Sequence, residues 1–224
     1  MTHTLHRYGT SEDLEDDFLV LAMPARGFDA EEAIERQKEF LRMALRHDPV
    51  NIGDSSHGAW YRPAHGIGPT VHWRRPSEPA PEDVIEAVDR PSPVTAVFDH
   101  YEAARDFLEE LREADLGLSI NLSAVAARAE ECCASLGIPP HSVEYSLGFM
   151  GRVARLPEGR TLRLSTMCGH GMISHALAEK MIDRVKTGRM SPEEASRTLA
   201  RFCNCGAYNP GRAARILSEE PHSQ

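Results

Sequence analysis

The chain has 224 residues, 41% hydrophobic and 26% charged, with 34 Asp and Glu against 25 Lys and Arg for a net charge of −9. That is enough chain for one good core, or a core with a smaller appended unit, in ordinary globular proportions. No apolar run is long enough for a membrane span. The acidic total and dispersed arginines, without helix-turn-helix or ribonucleoprotein signatures, argue against nucleic acid.

The first residues, MTHTLHRYGTSEDLEDD, are polar and then acidic, unlike a secretory signal or an Arg-rich transit peptide, so the expected compartment is the cytoplasm. Phe18 to Met23 reads as a buried strand stopped by Pro24 and Gly27. Asp29 then caps a helix whose inward face carries Ala33, Ile34, Phe40, Leu41, Ala44 and Leu45. Residues 51–83 are rich in Gly, Pro, His and Trp, and are too punctuated for a simple connector. They read as short strands and a long functional loop that ends in a Pro-rich stretch, 76–83.

A regular alternation follows: a strand over 94–99, a helix over 101–115 with Asp99 as its cap, a strand over 116–123 and a helix over 124–137. Strands are expected again over 142–149 and 160–166. This order predicts an α/β fold, a layered sheet with flanking helices and at least partly parallel pairing. The last sixty residues change character. An amphipathic helix is expected over 171–188, stopped by Gly188. Ser191, Pro192 and Glu194 form a capping box for the next helix, and Asn209 with Pro210 opens the last. The organisation expected is an α/β body, 1–160, with a C-terminal helical unit, 161–224, packed on it and carrying the cysteine site.

Five cysteines, an odd number, do not make a secreted disulfide framework. Three of them, Cys168, Cys203 and Cys205, lie at expected helix boundaries beside Gly169, Gly171 and Gly206. Unpaired N–H groups at such places stabilise thiolate charge, and glycines let backbone approach a bulky inorganic ligand. Their half of the chain is also basic. Residues 151–224 carry 12 Lys and Arg against 7 Asp and Glu, while residues 1–150 carry 13 against 27. One distant thiol plus a C-x-C pair fits a [4Fe–4S] cluster with one iron not held by cysteine, or with His170 or His175 as fourth ligand. A Cys3His zinc site is the alternative cofactor, although C-x-C departs from the usual zinc spacing. A metal-free alternative makes Cys168 a nucleophile with a histidine base. The plainest alternative makes all three buried small hydrophobes. Cys132 and Cys133, adjacent on a helix, diverge by about 100° and are expected to be structural.

Among the eleven histidines, His57, His65 and His72 share the long loop with Arg74 and Arg75. The expected roles are proton transfer by His170, His57 and His65, and substrate binding by His72, Arg74 and Arg75. Together these residues describe an iron–sulfur enzyme acting on a small anionic molecule by lyase-like Lewis-acid or desulfurase-like sulfur chemistry. The alternative from another class is a non-catalytic metal or cluster carrier, or a redox sensor. No nucleic-acid or membrane partner is expected, and a homo-oligomer is compatible with the sequence.

Overall fold

The computed structural model describes residues 7–25, 27–62 and 80–219. Five strands, β1 (Phe18–Pro24), β2 (Asn51–Asp54), β3 (Gly58–Ala59), β4 (Val94–Phe98) and β5 (Leu118–Ser123), form one sheet in the order β3-β2-β4-β1-β5. Every pairing in it is antiparallel. The parallel pairing expected from strand–helix alternation does not occur, and the connectivity explains why. β1 leads through α2 (Ala30–Leu45) to β2, two strands away, and β4 inserts between them. β4 leads through α4 (Tyr101–Ala114) to β5, and β1 lies between that pair. Two crossovers thus interleave in a split β-α-β arrangement, where strands joined by a helix run the same way without touching.

Alternation along the strands builds two cores. Phe18, Val20 and Ala22 of β1 and Val94, Ala96 and Phe98 of β4 face α2, α3 (Pro81–Ala87) and α4. Phe107 centres this first face, 5.1 Å from Phe40 and 5.2 Å from Phe98 between ring centroids. Cys132, on α5 (Ala126–Ser135), belongs to the same core. Leu19, Leu21 and Val97 point the other way, into a second core with α6 (Gly159–Thr166), α7 (His175–Lys186), α8 (Pro192–Ala200) and α9 (Pro210–Ser218). A sheet covered on both faces needs strands that are apolar throughout, as FLVLA and VTAVF are.

Local chemistry sets the helix ends. Asp29 accepts from Glu32 N at 2.8 Å, and Ser191 and Glu194 exchange both bonds of the capping box. α7 begins only at His175, with Ser174 as its cap, because Gly171 sits at φ +65°. His100, not Asp99, takes the cap position of α4; the Asp99 carboxylate instead lies 3.8 Å from Arg215.

Two expected strands are absent. Residues 160–166 form α6, capped by Glu158, and bury Thr161, Leu162 and Ser165 at helical spacing. Residues 142–149 have no regular structure and lie exposed, with no strand among the described residues beside them. A short helix, α1 (Ser11–Leu14), precedes β1. No helix among the described residues is long and apolar enough to cross a membrane.

Candidate functional site

The loop between α8 and α9, residues 201–209, lies directly on the backbone of β2. A Cβ on Gly53 would meet the carbonyl of Cys205 and the nitrogen of Gly206 at 2.5–2.6 Å. A Cβ on Gly206, at φ +75°, would meet the backbone of Ile52 and Gly53 equally closely. Two glycines 153 residues apart therefore permit one contact.

Side chains from distant segments take up the loop's carbonyls. Asn51 donates to Tyr208 O at 2.9 Å, Thr95 to Cys205 O, Arg7 to Ala207 O, and Arg62 to Phe202 O at 3.4 Å. With its carbonyls held toward the sheet, the loop turns amides toward sulfur. Tyr208 N–H donates to Cys203 Sγ and Ala207 N–H to Cys205 Sγ, while Cys168 Sγ accepts from His170 and Met172. These donors are loop amides. Neither Cys203 nor Cys205 lies in the first turn of α9, so local N–H groups supply what the sequence assigned to a helix dipole.

The three sulfurs come together. Cys203 and Cys205 are 3.9 Å apart, and Cys168 bonds to Cys203. Each residue is at most 2% exposed. His170 is exposed on the outer side, and its Nδ1 stands 3.6 Å from Cys205 Sγ. The thiols form a hydrogen-bonded chain with uneven charge. Its bond to Cys203 and its burial push the Cys168 thiol far up. The bond with Cys168 favours ionisation of Cys203, but the bond with Cys205 and burial outweigh it and push Cys203 up to about 12. Cys205 is held below the ordinary thiol value by its bond from Cys203, against burial. The thiolate most favoured in this chain is Cys205, not the Cys168 of the metal-free reading.

Among the described residues no group of three or more His, Cys, Asp or Glu side chains stands in metal-holding geometry; these thiols are spaced to hydrogen-bond one another.

An ion network braces the site. Asp17, buried at the start of the sheet, binds Arg7, Arg212 at 3.2 Å and Asn209 at 2.9 Å. Arg212 also binds Asp13 and donates to Tyr8 O at 2.8 Å. Burial would raise the Asp17 carboxyl, but the charges of Arg7 and Arg212 and the bonds from Asn209 and Arg7 outweigh it and hold it low. Asp13 is held low in the same way, against its burial, by Arg163 and Arg212. Sequence reasoning missed Arg7, Asp17, Tyr208 and Arg212. Only Asn209, recognisable as a cap, carried a local signal.

Buried polar atoms without a hydrogen-bond partner gather here. Among the described residues they are Arg7 Nε, Asn51 Oδ1, Asn204 Oδ1, Tyr208 OH and, elsewhere, Gln37 Nε2. Four of the five belong to the loop or to side chains bound to it, so the few such atoms a folded protein leaves are here concentrated at one place. A cavity of about 420 Å³ opens beside Cys168, bounded by Ser165, Thr166, Gly171, Ser174 and His175.

The other expected site residues are less concentrated. His57 is on the opposite side of β2. Gly53 faces the cysteine loop, so the next side chain, Asp54, points away and takes His57 Nδ1 at 2.5 Å. Its Nε2 meets Asp89 at 2.8 Å and Arg90 at 3.3 Å, so both ring nitrogens are engaged away from the thiols. His65, His72, Arg74 and Arg75 lie outside the described residues. Cys132 is in the first core, its thiol pushed up to about 11 by burial and by Cys133. No family model, no curated protein and no solved structure matches this chain.

Proposed function

We propose that Cys168, Cys203 and Cys205 hold an iron–sulfur cluster, a [4Fe–4S] cluster with one iron free of cysteine, in an enzyme acting on a small anionic molecule. The carrying observation is the convergence of three buried sulfurs, each met by backbone N–H groups, at a loop that also gathers unpartnered buried polar atoms. Amides aimed at sulfur offset thiolate charge and tune a cluster's potential. Packing alone accounts poorly for them, because a core cysteine needs no donors.

When bound, the cluster would supply Lewis-acid or sulfur chemistry at its open iron. The chain's residues would do the rest. The cavity beside Cys168 is where the small anion would sit, with Ser165, Thr166 and His175 on its wall. His170, at the solvent side of Cys205, is placed to pass a proton in or out. Arg62, the last described residue before the His65–Arg75 stretch, bonds the loop beside Cys203. The assignment of His65, His72, Arg74 and Arg75 to the substrate rests on the sequence, whereas His57 has partners of its own. Five unpaired thiols fit the reducing cytoplasm.

The test is iron and acid-labile sulfide content after anaerobic purification from cells competent in cluster assembly. About four of each per chain, with a visible charge-transfer band, is the expected result. Cys168→Ser, Cys203→Ser and Cys205→Ser should each lose most of the iron, and Cys133→Ser none. Iron-free protein that cannot be reconstituted with iron and sulfide would overturn the reading, and stoichiometric zinc would replace it with the zinc alternative.

A further inference from the structure

Residues 142–152, SVEYSLGFMGR, carry an alternation that the fold leaves largely exposed, although the Phe149 ring lies 5.7 Å from that of Tyr8. Val143, Tyr145, Leu147 and Phe149 stand at every second position, 57%, 61%, 82% and 37% exposed. Met150 and Val153 add 81% and 52%. Such spacing belongs to a strand buried on one face, yet among the described residues no strand pairs with it. The five odd-numbered side chains from 143 to 153, Gly151 aside, expose on the order of 500 Å² of surface, within the range of a monomer's largest apolar patch. A standard interface covers roughly 800 Å² per partner, so the stripe supplies its apolar centre and the flanking charges its rim.

The segment also matches itself. Glu144 and Arg152 are equally far from Gly148 and form no ion pair among the described residues. Two copies running antiparallel about an axis at Gly148 set Glu144 opposite the second copy's Arg152, at both ends. Drawn out as a strand, the same register puts Leu147 opposite Phe149 and Tyr145 opposite Gly151 and keeps the odd-numbered side chains on one face; in the single chain Gly148 stands at φ +71° and Gly151 at +89°, so docking straightens the segment there. Gly148 and Gly151 have open space where a Cβ would stand, so a second backbone can approach there. Between the segment and β5 lies a cleft of about 890 Å³, lined by Ile120, Leu122, Val125 and Ile138 and by Val143 and Tyr145 of the segment, so the segment has room to shift.

We infer that a second copy of this chain docks on residues 143–152 across a two-fold axis through Gly148, making a homodimer. The inference is independent of the cluster reading. An isologous contact needs one self-complementary patch, and this segment supplies its apolar stripe and both charges.

Sedimentation equilibrium of the full-length protein over a wide concentration range tests it. The wild-type chain should dimerise, and Leu147→Glu should be monomeric at the same concentrations. Glu144→Arg or Arg152→Glu alone places like charges at both ends and should weaken the dimer roughly tenfold. The double variant Glu144→Arg/Arg152→Glu restores both pairs and should recover most of that loss. All three positions are exposed, and unchanged circular dichroism confirms folding. A wild-type monomer at every concentration overturns the proposal, as does a dimer indifferent to Leu147→Glu. Failure of the double variant to recover also overturns it and assigns the patch to a different occupant.

Discussion

Gly53→Ala isolates the contact that fixes the cysteine loop. The new methyl carbon would stand 2.5 Å from the Cys205 carbonyl and 2.6 Å from Gly206 N, where ordinary van der Waals contact begins near 3.4 Å. The obstacle is backbone on both sides, so no side chain can swing away. The loop must rise from β2 by about 1 Å, an overpacking displacement that costs on the order of 1–3 kcal/mol. Thr95, bonded to Cys205 O, and Asn51, bonded to Tyr208 O, would be stretched by the same movement.

For a chain of this size that cost corresponds to about 2–12 °C in melting temperature. Thermal unfolding of the iron-free protein measures it, and iron uptake measures the displacement of Cys205. Gly159→Ala is the control: it opens α6, has nothing within 4 Å of the added carbon and does not sit at positive φ. It should be neutral or slightly stabilising, since alanine favours helix over glycine by up to about 1 kcal/mol. If Gly53→Ala melts with the wild type and takes up iron as fully, the close approach does not constrain the loop, and the reasoning fails.

Asp17→Ala leaves Arg7 and Arg212 buried without their shared carboxylate and should cost about 3–5 kcal/mol, read by urea denaturation. Asp13 and Asp17 both have folded pKa values below their unfolded ones, so the unfolded chain takes up their protons first as pH falls. Their stabilisation is present above about pH 4 and disappears as pH drops through the folded values; melting temperature should therefore fall steeply below that pH, and Asp17→Asn should flatten the acid limb while lowering the plateau. Ser191→Ala removes the side chain that caps α8 and should cost about 0.5–2 kcal/mol by thermal unfolding, without changing the ultraviolet aromatic spectrum.

The parts of the fold that were legible in the sequence are those whose causes are local. Asp29, Ser191 and Asn209 are caps because each bonds an amide three residues on. The strand at 94–98 is plain from its apolar run. Strand direction was not legible, because it depends on which strand inserts between two others. Leu162 and Leu164 imitate a strand's alternation, but Glu158 starts a helix ahead of them. In 142–149 the strand pattern is real and no strand among the described residues lies beside it. The site divides in the same way. Cys203-x-Cys205 and Gly206 are visible as a motif, whereas its floor is Gly53 and its brace joins Arg7, Asp17 and Arg212. Nothing local marks Gly53, which matters through Gly206, and Arg7, though paired with Asp17 close by, reaches the loop only at Ala207.

The geometry of the loop also bears on its energetics. Each unpartnered buried polar atom costs about 1–3 kcal/mol, against a total stability on the order of 5–15 kcal/mol for a domain. Arg7, Asn51, Asn204 and Tyr208 place four such atoms at one loop, while the thiols beside them share bonds that leave Cys168 and Cys203 reluctant to ionise. A ligand that draws charge onto all three sulfurs would let the N–H groups of Ala207, Tyr208, His170 and Met172 act on full thiolates. Binding energy and folding energy are coupled at such a site, since a ligand that binds only the folded chain stabilises it by mass action. The iron-loaded protein should therefore melt higher than the iron-free form. Gly53→Ala should shrink that difference, because a loop lifted from β2 no longer presents its amides and sulfurs together.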